Sequence, residues 1–474
     1  MATTLGQIAT ELSRTNPWWR GPGWAETDID LRAVAARSLG YRSTCLDDLA
    51  PGGLYLLRGP RRVGKTVVVK QRIEELLATG TPGIAVVRVA ADGWSAKDLR
   101  TVVQNSALPP PPPGQRRWWF LDEVTAVTGD WAQQVKWLRD NDPGFAEATV
   151  VLTGSSAGQL TAASGVLAGR RGAITNADRT LLPLGFRTFA TLLDSSLPIP
   201  DPVALSSLRD PSTAGTYQTQ LPWLDPLLRL WELYLAYGGV PVCVAAARDG
   251  QGVPAHFVND IFDVVFKDAF AHSQLSTTTT TALVERLMSA MAAPLSMSNI
   301  AADLDLSPES VRRHVSYLRD AYLVWHCPQK EPKNWTPRER AQDKVYAIDP
   351  LVARLAHLRN PERVDVDPTV LNEMQIGMAI QRAARRVGAP GQDDQFLFHA
   401  RTPARKEIDF VARNLAGVAV EAKYTDTGRW AGEAATVNAS DWDGVLATRT
   451  VLDTRPTATA WAVPAAFLAF MIDT

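Results

Sequence analysis

Cysteine is scarce and the net charge is close to zero, and both absences narrow the class of protein. The 474 residues include three cysteines, Cys45, Cys243 and Cys327, which lie far apart and outside any C-x-x-C or Cys/His cluster. This spacing argues against a disulfide framework and against structural zinc, so we expect reduced thiols. The net charge of −1 creates no overall field toward nucleic acid or a membrane surface. Binding of either kind must depend on local patches.

Long apolar runs are also missing. The most apolar stretch, residues 227–247, is interrupted by Arg229 and Glu232, and the apolar stretch near the C-terminus contains Pro464. A membrane-spanning helix needs about 20 consecutive, mostly apolar residues. The N-terminal segment is polar and lacks the basic-then-apolar order of a signal peptide. We therefore expect a cytoplasmic protein with no membrane partner.

The sequence does contain a complete phosphate-binding loop, G-x-x-x-x-G-K-[ST], between an apolar strand at 54–57 and a helix at 67–77. In such a loop backbone N–H groups point at the β-phosphate, where the helix N-terminus adds partial positive charge. Lys65 is predicted to reach the β- and γ-phosphates, and the Thr66 hydroxyl to ligate Mg²⁺. The predicted ligands are ATP and Mg²⁺, held by Gly59, Pro60, Arg61, Arg62, Val63, Gly64, Lys65 and Thr66.

Three further strands, predicted at 84–89, 118–121 and 150–153, alternate with helical segments. This alternation favours a parallel sheet covered on both faces. The strand at 118–121 runs into Asp122 and Glu123, at the edge where open α/β sheets bind ligands. Asp122 is predicted to hold Mg²⁺, and Glu123 to orient or deprotonate the attacking water. A solvated acidic strand end is the alternative, but the loop upstream favours the metal role.

Hydroxyl groups end the strand at 150–153, and an arginine pair follows it. Thr153 or Ser155 would sense the γ-phosphate if this strand lies beside the loop strand. Arg170, in the turn at 169–172, is predicted to neutralise transition-state charge in the same or a neighbouring subunit, which allows for a homo-oligomer. A surface arginine pair is the alternative.

Together these motifs resemble the "archaeal ATPase" group of P-loop ATPases in the AAA+/STAND assemblage. The resemblance is carried by the phosphate-binding loop, residues 120–123, Trp131, Lys136, and residues 152–156, 167–170 and 182–187. The turn at 237–241 resembles the family's Gly-Gly-x-Pro turn. Thr125 departs from the group, since many members carry Gln after the acidic pair, so the water-positioning role rests more on Glu123. The resemblance also implies a C-terminal region like a restriction-endonuclease fold.

Residues 191–280 are predicted to form a helical lid, and a small helical module is predicted after it. Residues 298–304 form one helix, and Ser307 caps a second helix with Pro308 at its first position. Helix-turn-helix patterning places Val311, Val315, Leu318 and Tyr322 in the core, and Ser310, Arg312, Arg313, Ser316 and Arg319 outside. Strands at 323–327 and 344–348 would then pair as the wing of a winged helix.

The exposed arginines of this module suit DNA phosphates. Arg312, Arg313 and Arg319 are the predicted contacts. A winged helix used only for packing between domains is the alternative.

The last part of the chain carries a second constellation. Strands predicted at 408–412 and 418–424 form a hairpin, and eleven residues separate Asp409 from Glu421, with Lys423 beyond. This D…E-x-K arrangement resembles PD-(D/E)XK nucleases, and Glu373 matches an acidic position on their first helix.

The resemblance implies that Glu373, Asp409 and Glu421 hold Mg²⁺ or Mn²⁺ against a scissile phosphate, while Lys423 stabilises the developing charge. A nuclease-like fold that no longer cuts is the alternative.

We expect an α/β protein with five parts: an N-terminal aromatic and helical segment (1–50), a P-loop ATPase core with a parallel sheet (51–190), a helical lid (191–280), a winged helix (281–350) and an α/β restriction-endonuclease-like domain (351–474). The predicted function is Mg²⁺-dependent ATP hydrolysis coupled to action on DNA. The alternative is a nucleotide-dependent signalling switch or scaffold whose nuclease-like domain binds a partner without cleaving it.

Overall fold

The computed structural model describes residues 5–37, 39–105, 108, 110–271, 276–387, 397–426, 428–455 and 459–473. The chain divides into two compact units. Unit 1 comprises residues 1–182 with 320–322, and unit 2 comprises residues 183–319 with 323–474. Within the described residues, no helix combines the length and hydropathy that crossing a bilayer requires.

Unit 1 is built on a five-stranded parallel sheet, as the alternation of strands and helices predicts. Its strands are β1 (Leu54–Arg58), β2 (Val86–Ala90), β3 (Trp118–Asp122), β4 (Thr149–Thr153) and β5 (Asp178–Thr180), in the spatial order β2-β3-β4-β1-β5. Its helices are α1 (Leu5–Thr15), α2 (Trp24–Thr27), α3 (Ile29–Arg37), α4 (Lys65–Ala78), α5 (Ala96–Asn105), α6 (Trp131–Asn141), α7 (Pro143–Glu147) and α8 (Ala157–Val166). Strand β4 lies between the loop strand and the acidic strand.

Apolar side chains cover both faces of this sheet. Because strand side chains alternate, Leu56 enters a core formed with α5 and α6, whereas Leu57 enters a core formed with α4. The N-terminal tryptophans close one edge: the indole N–H groups of Trp18 and Trp19 donate to the carbonyl oxygen of Val86, at 3.1 and 3.0 Å. The N-terminal segment therefore covers the β2 edge of the sheet.

Unit 2 contains the remaining helices and two further sheets. The helices are α9 (Phe186–Leu193), α10 (Pro211–Thr219), α11 (Leu224–Tyr237), α12 (Pro241–Arg248), α13 (Ala255–Ala271), α14 (Thr277–Ser289), α15 (Met297–Asp303), α16 (Pro308–Asp320), α17 (Pro350–Ala353), α18 (Leu355–Arg359), α19 (Pro368–Val387), α20 (Trp430–Glu433), α21 (Ala435–Asn438) and α22 (Ala465–Ile472). The strands are β6 (Val324–Cys327), β7 (Lys344–Ala347), β8 (Phe398–Arg401), β9 (Glu407–Val411), β10 (Val418–Ala422), β11 (Asp443–Thr448) and β12 (Ala460–Pro464).

The C-terminal sheet is mixed. Its spatial order is β12-β11-β10-β9-β8, with β10, β11 and β12 parallel and β8, β9 and β10 antiparallel to their neighbours. The predicted hairpin is present, with Val420 opposite Phe410. The nuclease-like fold itself stays a prediction.

The helical module follows the predicted pattern with one exception. Helices α14, α15 and α16 precede an antiparallel pair of β6 and β7, with Val324 opposite Ala347. Ser310, predicted to face solvent, is instead 7% exposed. Its N–H donates to the Ser307 hydroxyl and its carbonyl oxygen bonds the His314 ring, so the residue serves the helix cap.

A buried ion pair closes unit 2. Asp473 accepts from Arg382 Nε at 2.8 Å and Nη2 at 3.0 Å, and also from the backbone N–H of Phe186 at 2.7 Å. Arg382 also donates to the hydroxyl of Tyr234. Only 2% of the Asp473 side chain is exposed. The contact joins helices α9, α11 and α19 to the end of α22.

Replacing this carboxylate should destabilise unit 2 strongly. We expect Asp473→Ala to lower the free energy of unfolding by about 3–5 kcal/mol, because it leaves Arg382 buried without its counter-charge. Urea unfolding followed by circular dichroism measures the effect.

Glu232→Ala is the matched control. It removes a 2.7 Å pair with Arg449 whose side chains are 45% and 39% exposed, so it should cost less than about 1 kcal/mol. Equal losses for the two variants would contradict the assigned importance of Asp473.

Candidate functional site

The phosphate-binding loop, residues 59–64, leads from β1 directly into α4. Gly59 and Gly64 have φ angles of 145° and 99°, a region that favours glycine. A Cβ atom on Gly59 would lie 2.1 Å from the carbonyl oxygen of Leu181. The loop can therefore follow this path only with glycine at that position.

Lys65 is buried at the first position of α4. Its Nζ atom donates to the carbonyl oxygens of Gly59 and Pro60 and to the hydroxyl of Ser155, each at 2.9 Å. These three partners are uncharged, and burial lowers the pKa of Lys65 to about 8. A buried ammonium held by neutral oxygens at a helix N-terminus suits an anionic ligand.

Both oxygen atoms of Asp122 are hydrogen-bonded. Oδ1 accepts from the Thr153 hydroxyl at 2.6 Å, and Oδ2 accepts from Nη2 of Arg88 at 2.6 Å. The Thr153 hydroxyl in turn accepts from the backbone N–H of Glu123 at 2.9 Å. Strand β4 thereby fixes the end of β3, because Thr153 is hydrogen-bonded to both residues of the acidic pair.

Glu123 is held by the residues that follow both strands. Its Oε1 accepts from the Thr125 hydroxyl at 2.7 Å and from the Ser155 N–H at 3.0 Å, and Oε2 accepts from the Ser155 hydroxyl at 2.9 Å. Gly154 allows this arrangement, since a Cβ there would lie 2.5 Å from Cγ2 of Thr125. Lys65, Ser155 and Glu123 thus form one hydrogen-bonded chain.

The hydroxyl and carboxylate oxygens here are the kind of ligand that Mg²⁺ prefers, and Mg²⁺ at Asp122 would replace the contact of that carboxylate with Arg88. Thr66 lies in the first turn of α4, and Asp122 ends the neighbouring acidic strand. Asp92, beyond β2, adds another carboxyl: burial raises its pKa, and the charges of Glu123 and Asp122 raise it further. The structure thus brings together the loop, Asp122, Glu123, Thr153 and Ser155.

Arg170 lies elsewhere. Its Nε atom donates to Asp140 Oδ1 at 2.7 Å, and the carbonyl oxygen of the next residue, Arg171, accepts from the N–H of Leu54 at the start of β1. The phosphate-binding loop follows the other end of β1, about 16 Å away for a strand of this length. This placement contradicts a role for Arg170 at the nucleotide of its own chain, and a role in a neighbouring subunit stays a prediction.

In unit 2, the four predicted nuclease residues do lie together. Nζ of Lys423 is 2.6 Å from Oε2 of Glu421 and 3.7 Å from Oδ2 of Asp409. The N–H of Ala422 donates to the same oxygen of Asp409 at 3.0 Å. Glu373 reaches the group from α19.

A further residue, Lys344, occupies the middle of this group. Its Nζ atom is 2.6 Å from Oε1 of Glu407, 3.0 Å from Oε1 of Glu373 and 3.2 Å from Oδ1 of Asp409, and its side chain is 1% exposed. The hydroxyl of Tyr346, two residues along β7, donates to Oε1 of Glu373 at 2.5 Å. We call Lys344, Glu373, Glu407, Asp409, Glu421 and Lys423 the buried charge cluster.

Burial and the two lysines set the protonation of this cluster. Burial, with a smaller effect of Asp409, raises the pKa of Glu373 to about 7 and that of Glu421 to about 8. Burial alone would raise the pKa of Asp409, but the ammonium groups of Lys344 and Lys423 lower it overall. The cluster balances much of its own charge.

The buried charge cluster does not fit a divalent metal. In the described part of the chain, no group of three or more His, Cys, Asp or Glu side chains is arranged to hold a metal ion. An ammonium lies within hydrogen-bonding distance of Glu373 and Asp409, where the prediction puts the metal. Lys344 thus pairs with Glu373 and Asp409, whereas Glu421 pairs with Lys423. The metal role expected of these three carboxylates stays a prediction.

The predicted DNA contacts Arg312, Arg313 and Arg319 are exposed along α16. Their contact with DNA stays a prediction.

The sequence prediction missed Arg88 and Lys344. Each is a charged residue in a short strand of otherwise apolar or aromatic side chains, V-V-R-V-A and K-V-Y-A. A charge in a buried strand requires a partner, and that signal was available, although it does not name the partner.

Residues 52–190 match the family model of the AAA domain. The segment that carries the phosphate-binding loop is therefore similar to AAA-type ATPase domains. Residues 228–362 match a family described as a domain of unknown function, DUF8612. That match runs across the predicted limits of the lid and the winged helix.

No curated protein matches the chain. Among solved structures, the chain is similar to the Walker-type ATPase PABY2304 of Pyrococcus abyssi, with 13% identity, 70% of this chain and 97% of that chain covered, and a TM-score of 0.40. It is also similar to the Aeropyrum pernix ORC2 protein, with 10% identity, coverage of 70% and 94%, and a TM-score of 0.34. A variant of Thermotoga maritima RuvB is similar with 13% identity, 70% of this chain and 93% of that chain covered, and a TM-score of 0.27. TM-scores this low do not establish a shared overall fold.

Proposed function

We propose that this chain binds ATP with Mg²⁺ at the phosphate-binding loop and hydrolyses it. The observation that carries the proposal is the hydrogen-bonded chain from buried Lys65 through Ser155 to Glu123. It links a cation that can bind phosphate oxygens with a carboxylate that can orient and deprotonate water. The narrower assignment to the "archaeal ATPase" group belongs to the same proposal.

In this proposal Lys65 exchanges its bonds to the loop carbonyls for oxygens of the β- and γ-phosphates. Thr66 and Asp122 hold Mg²⁺, which offsets charge on the phosphates when bound. Glu123 orients the attacking water and accepts its proton. Ser155, which already contacts Lys65, senses the γ-phosphate, while Thr153 positions Asp122 and Glu123.

We further propose that unit 2 contacts DNA through α16, with the winged-helix interpretation as its basis. The support is the exposure of Arg312, Arg313 and Arg319 on one helix that follows a capped turn. The lysine within the buried charge cluster favours the version in which the C-terminal domain binds or supports a partner without cleaving it.

Removing the loop lysine should abolish tight nucleotide binding. We expect Lys65→Ala to weaken ATP binding by about 10- to 100-fold or more, since charge-assisted hydrogen bonds contribute about 1.5–3 kcal/mol. Isothermal titration calorimetry with Mg²⁺ measures this. Lys97→Ala, at an exposed lysine on α5, is the control and should bind like the wild type. Undiminished affinity of the Lys65 variant would refute the proposal.

Replacing the water-activating carboxylate should separate binding from hydrolysis. Glu123→Gln keeps the size of the side chain but cannot accept the proton, so we expect turnover to fall about 10²- to 10⁴-fold. The Kd for ATP should stay within about threefold. Phosphate release and calorimetry on the same preparation test both values. A variant that hydrolyses ATP at the wild-type rate would rule out this role for Glu123.

Neutralising two arginines of α16 should weaken DNA binding and its dependence on salt. If Arg312 and Arg313 each contact a phosphate, Arg312→Ala/Arg313→Ala should reduce the slope of log K against log salt by about 2. Fluorescence anisotropy with duplex DNA over a salt series measures the slope. Arg401→Ala/Arg405→Ala removes the same charge from other exposed positions. If the two double variants behave alike, α16 is not the contact.

A further inference from the structure

Lys344, in the buried charge cluster, has a role that is separate from the proposed ATPase activity and does not depend on it. Three carboxylate oxygens from α19 and β9 lie between 2.6 and 3.2 Å from its Nζ atom. A divalent metal bound to Glu373 and Asp409 would lie next to a fixed ammonium on the same two carboxylates. Two cations at such short separation, away from water, repel strongly.

Neighbouring packing keeps this ammonium in place. Lys344 pairs with Cys327 across the β6–β7 ladder, and Tyr346 on the same face of β7 stacks on Trp325 with ring centroids 4.7 Å apart. Behind them, a Cβ atom on Gly377 would lie 2.8–2.9 Å from the rings of Phe410 and Trp325. Tyr346 packs β7 against α19 and β9, and the Lys344 side chain is 1% exposed, so its ammonium is enclosed among these carboxylates.

The charges point the same way. Four carboxyl groups, Glu373, Glu407, Asp409 and Glu421, surround the ammonium groups of Lys344 and Lys423. We infer that Lys344 is a built-in cation that takes the place of the divalent metal expected from the D…E-x-K arrangement. The cluster then joins the β6–β7 pair to α19 and the C-terminal sheet, and it does not cleave nucleic acid.

Mn²⁺ titration of the nucleotide-free full chain, followed by electron paramagnetic resonance of free Mn²⁺, tests this inference. Wild type and Asp409→Asn should give superimposable curves, because Asp409 holds a lysine and no metal. Lys344→Met should gain an Mn²⁺ site at least tenfold tighter than any in the wild type. That gain should be lost in Lys344→Met/Asp409→Asn and absent from Lys344→Arg, which keeps the positive charge.

Two outcomes would overturn the inference: Mn²⁺ binding by the wild type that Asp409→Asn abolishes, or a folded Lys344→Met variant that gains no site. Because Lys344→Met can fail to fold, the wild type and its Asp409 variants supply a second arm. The melting temperature should be the same with and without Mn²⁺ in both wild type and Asp409→Asn, and nicking of supercoiled plasmid in Mn²⁺ should not exceed that of Asp409→Ala. Stabilisation or nicking that requires Asp409 would refute the inference.

Discussion

A buried ammonium at the start of α4 is the constraint on which unit 1 depends. Taking Lys65 out of water is unfavourable, and the structure offsets this with two loop carbonyls and the Ser155 hydroxyl. Those partners can meet only because β4 lies between β1 and β3, which brings Ser155 beside Glu123. Compensation of the buried Lys65 ammonium therefore involves the order of the strands, the glycines of the loop and the acidic residues at the end of β3.

The same chain meets a second buried ammonium in a different way. Lys65 has neutral partners at close range, so its charge remains available to an anion. Lys344 is surrounded by three carboxylates and has no such surplus. The charge of Lys65 can therefore bind an anion, whereas the charge of Lys344 is already paired. This contrast distinguishes the proposed nucleotide site from the proposed structural cluster, although both contain the acidic and lysine residues that sequence patterns associate with catalysis.

Much of the nucleotide site could be predicted from sequence because its information is local. The loop and the acid pair are contiguous motifs at strand ends, and a parallel sheet brings strand ends together. The prediction that Arg170 acts at the nucleotide of its own chain was wrong because a sequence motif does not specify the edge of the sheet at which its turn will lie. Lys344 was missed because its partners lie between 29 and 65 positions away in the chain, on α19 and β9. Ser310 was misplaced because the buried stripe of α16 is wider than predicted and also includes His314, one turn further along the helix.

The contact between Phe186 and Asp473 has a consequence for the order of folding. Apart from residues 320–322, unit 1 is continuous up to residue 182, so its sheet can form as soon as that segment has been synthesised. Unit 2 requires residues 287 positions apart to meet before α9 and α22 can pack. Closing such a long loop is slow because the chain loses conformational entropy before the contact forms. Until then, the apolar side chains with which α22 packs against α9, such as Phe470 against Phe186, stay exposed to aggregation.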